Sequence, residues 1–191
     1  MLKGLEIGGK GWYNQIDNHK FGKRIKMSII LIGMPSCGKS TLGVLLAKKL
    51  GYRFVDSDLL IQESEGMLLH EIIEKRGAEG FLQIEDRINS QIEEQNAIIA
   101  TGGSVVYCRG AMEHLKTLGK VVYLKIPFEE MERRLGDFAH RGVIMRHGNK
   151  LSQMYEERAP LYERYADVTV DVFRASLADS LQRICEAMKD E

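Results

Sequence analysis

Eight consecutive residues, Gly33-Met34-Pro35-Ser36-Cys37-Gly38-Lys39-Ser40, carry the spacing of a loop that wraps phosphate. Glycines let the backbone approach phosphate oxygens closely, and the amides opening the following helix point partial positive charge at them. Lys39 has the length to reach a β- or γ-phosphate, and the Ser40 hydroxyl is placed to ligate magnesium. The run I-I-L-I precedes the loop and T-L-G-V-L-L-A-K-K-L follows it, which supplies the strand and helix the motif requires. The expected nucleotide contacts are Gly33, Pro35, Ser36, Cys37, Gly38, Lys39, Ser40 and Thr41, with ATP as co-substrate and Mg2+ as cofactor. Cys37 has two readings: a small residue that fits the turn, or a thiolate favoured by a helix N-terminus.

A second chemical signature follows in Val55-Asp56-Ser57-Asp58. Two carboxylates at the carboxyl end of a parallel strand stand where open α/β sheets bind ligands. Asp56 is expected to help hold hydrated magnesium. Asp58 is placed to orient an attacking hydroxyl and take its proton, and it suits a helix N-cap equally well.

The elements that position these residues read as short branched apolar runs alternating with helical patterns, an α/β order that predicts a five-stranded parallel sheet with helices on both faces. The expected strands are 28–32, 53–55, 97–100, 121–126 and 168–172. The clearest helix spans Glu79 to Gln95, with Phe81, Ile84, Ile88 and Ile92 as its buried stripe. Residues 1–27, rich in glycine and lysine and without sustained periodicity, read as an extension outside the core. Its basic run Lys20, Lys23, Arg24 and Lys26 reads as a solvated surface.

Composition narrows the function classes. Among 191 residues, Lys plus Arg and Asp plus Glu number 27 each, so no net field favours nucleic acid or an anionic membrane. The cysteines Cys37, Cys108 and Cys185 are three, distant and without C-x-x-C spacing, which points away from a disulfide framework or zinc site and toward a reducing cytoplasm. The five histidines show no metal-ligand spacing and read as surface or lid residues. No apolar run approaches the roughly 18 to 20 residues of a membrane helix, and no signal-peptide centre is visible. The expectation is a cytoplasmic monomer with neither nucleic-acid nor membrane partners.

The P-loop, the D-S-D pair, A-T-G-G-S at 100–104, a late arginine in A-H-R-G-V-I and the stretch E-R-A-P-L-Y-E-R-Y-A-D-V-T-V-D together resemble the shikimate kinases. These small P-loop kinases phosphorylate a hydroxyl of a cyclic carboxylic acid on the route to aromatic amino acids. The resemblance spans about residues 27–187. It implies a P-loop kinase fold, a helical acceptor-binding segment near 59–95 and a lid near 136–150. It further implies that Asp58 contacts the acceptor hydroxyls, that Gly102 and Gly103 line the acceptor, and that Arg158 grips its carboxylate. Arg141 resembles the lid arginine that reaches the phosphates, and Arg134 the arginine that lies on the adenine. A planar guanidinium suits such work because it holds a carboxylate or phosphate with parallel hydrogen bonds. Lys39, Asp58 and Arg141 are therefore the expected catalytic residues, with Ser40 and Asp56 on the metal.

Two departures fall on the acceptor side. The family carries an arginine directly after the phenylalanine of the acceptor-binding helix, whereas Phe81 is followed by Leu82. The family's glycine run is also one glycine shorter here. Losing a charge-assisted hydrogen bond of about 1.5 to 3 kcal/mol weakens a carboxylate ligand by roughly ten- to a hundredfold. Two alternatives to shikimate phosphorylation thus stay open: a related kinase for another small hydroxylated acceptor, and a nucleotide-binding protein without activity. Glu85, near the absent arginine, receives no role from the sequence.

Overall fold

In the computed structural model, which describes residues 27–136 and 150–188, five short strands pair side by side and all run parallel. They are β1 (Ser28–Ile32), β2 (Arg53–Asp56), β3 (Ala97–Ala100), β4 (Gly119–Lys125) and β5 (Val168–Asp171), in the order β2-β3-β1-β4-β5. Every residue of β1 and β3 is buried, as a continuous apolar run must be when helices cover both sheet faces. Edge strand β2 is only partly covered.

The helices among the described residues are α1 (Lys39–Leu50), α2 (Ser57–Glu65), α3 (Leu69–Asn89), α4 (Arg109–Leu118), α5 (Phe128–Leu135), α6 (Leu151–Tyr165) and α7 (Leu177–Ala187). A single 3-10 turn, Val105–Tyr107, sits between β3 and α4. The principal core is the sheet with Leu42, Leu46, Met112, Leu115, Met131 and Ile184 packed on it. A smaller cluster, Ile61, Ile72, Phe81 and Ile88, joins α2 to α3 beside the sheet. No described helix is long and apolar enough to cross a membrane.

The expected strands fall on the observed ones, with shifts at their ends. Strand β4 begins at Gly119, earlier than hydrophobicity suggests, because Gly119 and Lys120 pair through their backbone with Ser28 and Ile29. Helix 79–95 needs correction at both ends. It begins at Leu69 and passes a break at Gly77, whose φ of 70° lies where an L side chain is strained. It stops at Asn89, and Ile92 reaches the core from the turn beyond, which continues the apolar spacing without continuing the helix. The buried stripe also differs. Phe81, Glu85, Ile88 and Asn89 face inward while Ile84 is half-buried, so a carboxylic acid occupies the centre of an otherwise apolar face.

Candidate active site

The loop after β1 is built by backbone conformations that its residues allow. Gly33 and Gly38 have φ of 149° and 103°, and a Cβ on Gly33 would lie 2.7 Å from the Leu124 carbonyl oxygen. Gly38, at the N-cap of α1, offers no side chain to the first helical amides. Those amides stay available to an anion. Lys39 is buried and donates to the carbonyls of Gly33 at 2.8 Å and Met34 at 2.9 Å. Cys37 is buried with its sulfur 3.7 Å from the Lys39 ammonium, while Ser36, Ser40 and Thr41 are exposed and Pro35 is half-buried.

Asp56 ends β2 and caps α2, accepting the Asp58 amide at 3.1 Å through Oδ1. The capping role that Asp58 also suited therefore falls to Asp56, because the helix begins at Ser57, two residues earlier than an Asp58 cap requires. Through Oδ2, Asp56 accepts the Ser40 hydroxyl at 2.8 Å. The two expected metal ligands thus lie side by side at the mouth of the loop, a hydroxyl and a carboxylate of the hard oxygen type that magnesium prefers. No cluster of three or more His, Cys, Asp or Glu able to hold a metal occurs among the described residues.

The turn after β3 lies next to this loop because β3 neighbours β1. A Cβ on Gly103 would stand 3.1 Å from the Pro35 ring, and one on Gly102 would meet carboxylate oxygens of both Glu85 and Asp58. Only glycine allows these approaches. The Gly102 amide donates to the buried Ser57 hydroxyl at 3.2 Å, and the Gly103 carbonyl accepts from Tyr162 at 2.5 Å and from Arg158 Nη1 at 3.1 Å. Arg158 is buried on α6 and lies over the Tyr107 ring, 5.2 Å from its centroid. Burial, then the Asp56 charge, push the Asp58 carboxyl up to about 6 against the opposing pull of Lys39.

Arg134 projects from α5 toward the phosphate loop, donating to the carbonyls of Ser36 at 3.3 Å and Cys37 at 3.5 Å and pairing with Glu130. It lines a cleft of about 720 Å³ together with Pro127, Glu130, Phe173, Arg174 and Ala175. Arg141 and most of the expected lid, 137–149, lie outside the described residues, as do residues 1–26.

The structure thus brings together the loop residues 33–41, Asp56, Asp58, Gly102, Gly103, Arg134 and Arg158. Sequence reasoning missed Tyr162, Ser57, Tyr107 and Ser104, which hold the turn after β3, and it left Glu85 without a place. Tyr162 and Tyr107 give no local signal, since their use depends on α6 crossing that turn. Glu85 did signal itself, as the one acid at the helical spacing of the buried stripe.

Comparisons with known proteins agree with this geometry. The family model described as shikimate kinase matches residues 35–189. A shikimate kinase of Thiobacillus denitrificans is 37% identical over 155 residues, covering 79% of this chain and 84% of its own length. The structure of shikimate kinase from Acinetobacter baumannii in complex with shikimate superposes with a TM-score of 0.80 at 30% identity, covering 87% of this chain and 94% of its own. Shikimate kinase from Aquifex aeolicus gives a TM-score of 0.72 at 31% identity, covering 85% and 96%. With a matching family model over most of its length, relatives of this identity and the same parallel sheet, the chain belongs to the shikimate kinase family.

Proposed function

We propose that this protein transfers the γ-phosphoryl group of ATP to a hydroxyl of shikimate. The observation that carries the reading is the contact between two turns on neighbouring strands. The phosphate loop after β1 touches, through Pro35, the Gly102-Gly103 turn after β3, and Asp58 and Arg158 flank that turn. Family membership supports the choice of acceptor.

On the donor side, the backbone N–H groups from Ser36 to Thr41 cradle the polyphosphate and Lys39 turns its ammonium from the loop carbonyls to the β- and γ-phosphates. The cleft beside Arg134 takes the base, with the guanidinium across it. Ser40 and Asp56 would hold Mg2+; when bound, the ion supplies positive charge to the phosphate oxygens. Arg141 would add charge to the transferring group from the lid.

On the acceptor side, Arg158 holds the carboxylate and Asp58 orients the attacking hydroxyl and receives its proton. The new bond joins that oxygen to the γ-phosphorus while the bond to the β-phosphate oxygen breaks, leaving ADP. Little of this needs covalent participation by the protein, so positioning and charge neutralisation carry the rate. Three buried cysteines, none in a disulfide, support a reducing, cytoplasmic setting, and a monomer holds every residue invoked.

A second reading, a different hydroxylated acceptor, is favoured by one observation. Leu82 is half-buried against the acceptor-side cluster and offers no charge. Steady-state turnover of ATP against shikimate and a panel of polyols and sugar acids decides between them. Saturable turnover with shikimate is expected; turnover with another compound alone overturns the acceptor, and ATP binding without transfer to anything overturns the activity.

A further inference from the structure

Glu85 is a fully buried acid on the inner side of the helical segment beside the sheet. Its carboxyl is fully buried in the middle of α3's inward face. Oε2 is hydrogen-bonded to the Ser104 hydroxyl at 2.6 Å and receives a weaker contact from the Cys108 thiol at 3.8 Å. Oε1 has no hydrogen-bond partner among the described protein groups. A buried carboxylate needs several donors or a cation bonded to it, and this one has a single hydroxyl and a thiol.

Every packed neighbour bears on its charge. Asp58 on α2 opposes ionisation and the positive charge of Arg158 on α6 favours it. Ser104 and Cys108 favour it through their bonds, and Tyr162 on α6 feels its charge in turn. Leu82, one turn back on α3, is apolar. Burial dominates, and the carboxyl is pushed up to about 8.

The location gives this acid a consequence for binding. Oε1 lies against the position a Gly102 Cβ would take, and Arg158 Nη1 sits 3.3 Å from the same point on Gly103. The acid and the guanidinium therefore back onto consecutive residues of the acceptor turn. Asp58 Oδ1 reaches the same Gly102 position, at 2.9 Å.

We propose that Glu85 sets the charge of the acceptor pocket: held as an uncharged acid beneath Gly102, it keeps Asp58 as the turn's one carboxylate and lets Arg158 bind an anionic acceptor. Glu85 touches no reacting atom and acts as a positioning residue, through the turn and through the field at Arg158. Its ionisation places a second negative charge behind the turn and expels a carboxylate ligand. The inference rests on the acceptor site proposed above.

The test compares the KM for shikimate and for ATP at about pH 7 and about pH 9 in the wild type and in Glu85→Gln, which mimics the uncharged acid. One unit above a midpoint near 8, about a tenth of the molecules retain the proton, so the shikimate KM rises about tenfold in the wild type while the ATP KM does not. In Glu85→Gln that tenfold ratio falls to about one. A flat wild-type profile, a rise shared by ATP, or a rise surviving in Glu85→Gln overturns the proposal.

Carbon-13 NMR of the glutamate side-chain carboxyls in the free protein tests the proton itself. One resonance, absent from Glu85→Gln, should remain in the protonated position at pH 7. Its titration alongside exposed glutamates overturns the proposal. Absence of any turnover with shikimate would instead refute the proposed function and leave the NMR titration to decide the state of Glu85.

Discussion

Tyr162 donates its hydroxyl to the Gly103 carbonyl at 2.5 Å, so helix α6 clamps the 102–103 turn through the same oxygen that Arg158 engages. Burial raises the phenol's pKa well above its usual value, which keeps the donor in place across the working range. Tyr162→Phe should destabilise the fold by about 1 kcal/mol and raise the shikimate KM about fivefold, leaving the ATP KM little changed. Chemical denaturation and steady-state kinetics on the same preparation check both.

Lys39→Ala removes the one ammonium inside the phosphate loop. Turnover should fall by about a thousandfold or more, as when a preorganised charge at a reacting group is deleted. Circular dichroism should remain that of the folded protein. Turnover at the wild-type level would refute the role given to Lys39.

Asp56→Asn separates two duties of one side chain. Asparagine caps a helix about as well as aspartate, so α2 and the melting temperature should be preserved. The lost charge beside Ser40 should raise the Mg2+ concentration for half-maximal turnover about tenfold, a change of about 1.4 kcal/mol. An unchanged magnesium requirement would take Asp56 off the metal.

Leu82→Arg places a guanidinium on the acceptor-side face of α3. The shikimate KM should drop about tenfold, in line with one added charge-assisted hydrogen bond to the carboxylate. An unchanged or higher KM would mean that the pocket has been rebuilt around leucine more widely.

Asp58→Asn should abolish turnover yet stabilise the metal-free protein by about 1 kcal/mol. The sign follows from its carboxyl, displaced upward from 3.8 to about 6. Below pH 4 both folded and unfolded chains hold the proton and no penalty exists. Between pH 4 and 6 the unfolded chain releases it first, and the folded state loses stability as pH rises. The magnitude is reduced because Asp58 is only half-buried. Urea melts of both proteins at pH 4 and pH 7 read the difference directly.

The parts legible in the sequence are those whose physics is local. Gly33 to Ser40 specify their own turn, and Asp56 and Asp58 stand at a strand end that hydrophobicity alone locates. The first and third strands were legible to the residue because both are covered on two faces. What escaped depends on distant chain. Glu85 lies at the helical spacing of Phe81 and Ile88, but whether an acid there faces solvent or core is decided by Ser104, nineteen positions on, which gives it a hydrogen-bond partner. The end of α3 escaped for a related reason, since Ile92 satisfies the apolar period from outside the helix. Strand β4 starts two residues early because pairing with Ser28 and Ile29, rather than side-chain type, defines it.

The phosphate loop leaves the sheet from β1 and the 102–104 turn from adjacent β3, so in the proposed reaction each partner would be served by its own strand. Divergence toward a new alcohol can therefore rewrite the 102–104 turn and the inward face of α3 while the neighbouring strand's nucleotide machinery is inherited intact. Both departures from the family pattern, at 82 and in the glycine run, lie in that rewritable half. On the proposed assignment the fold would be a donor module with an interchangeable recipient, and a library confined to α3 and residues 101–104 would be the shortest path to a changed specificity.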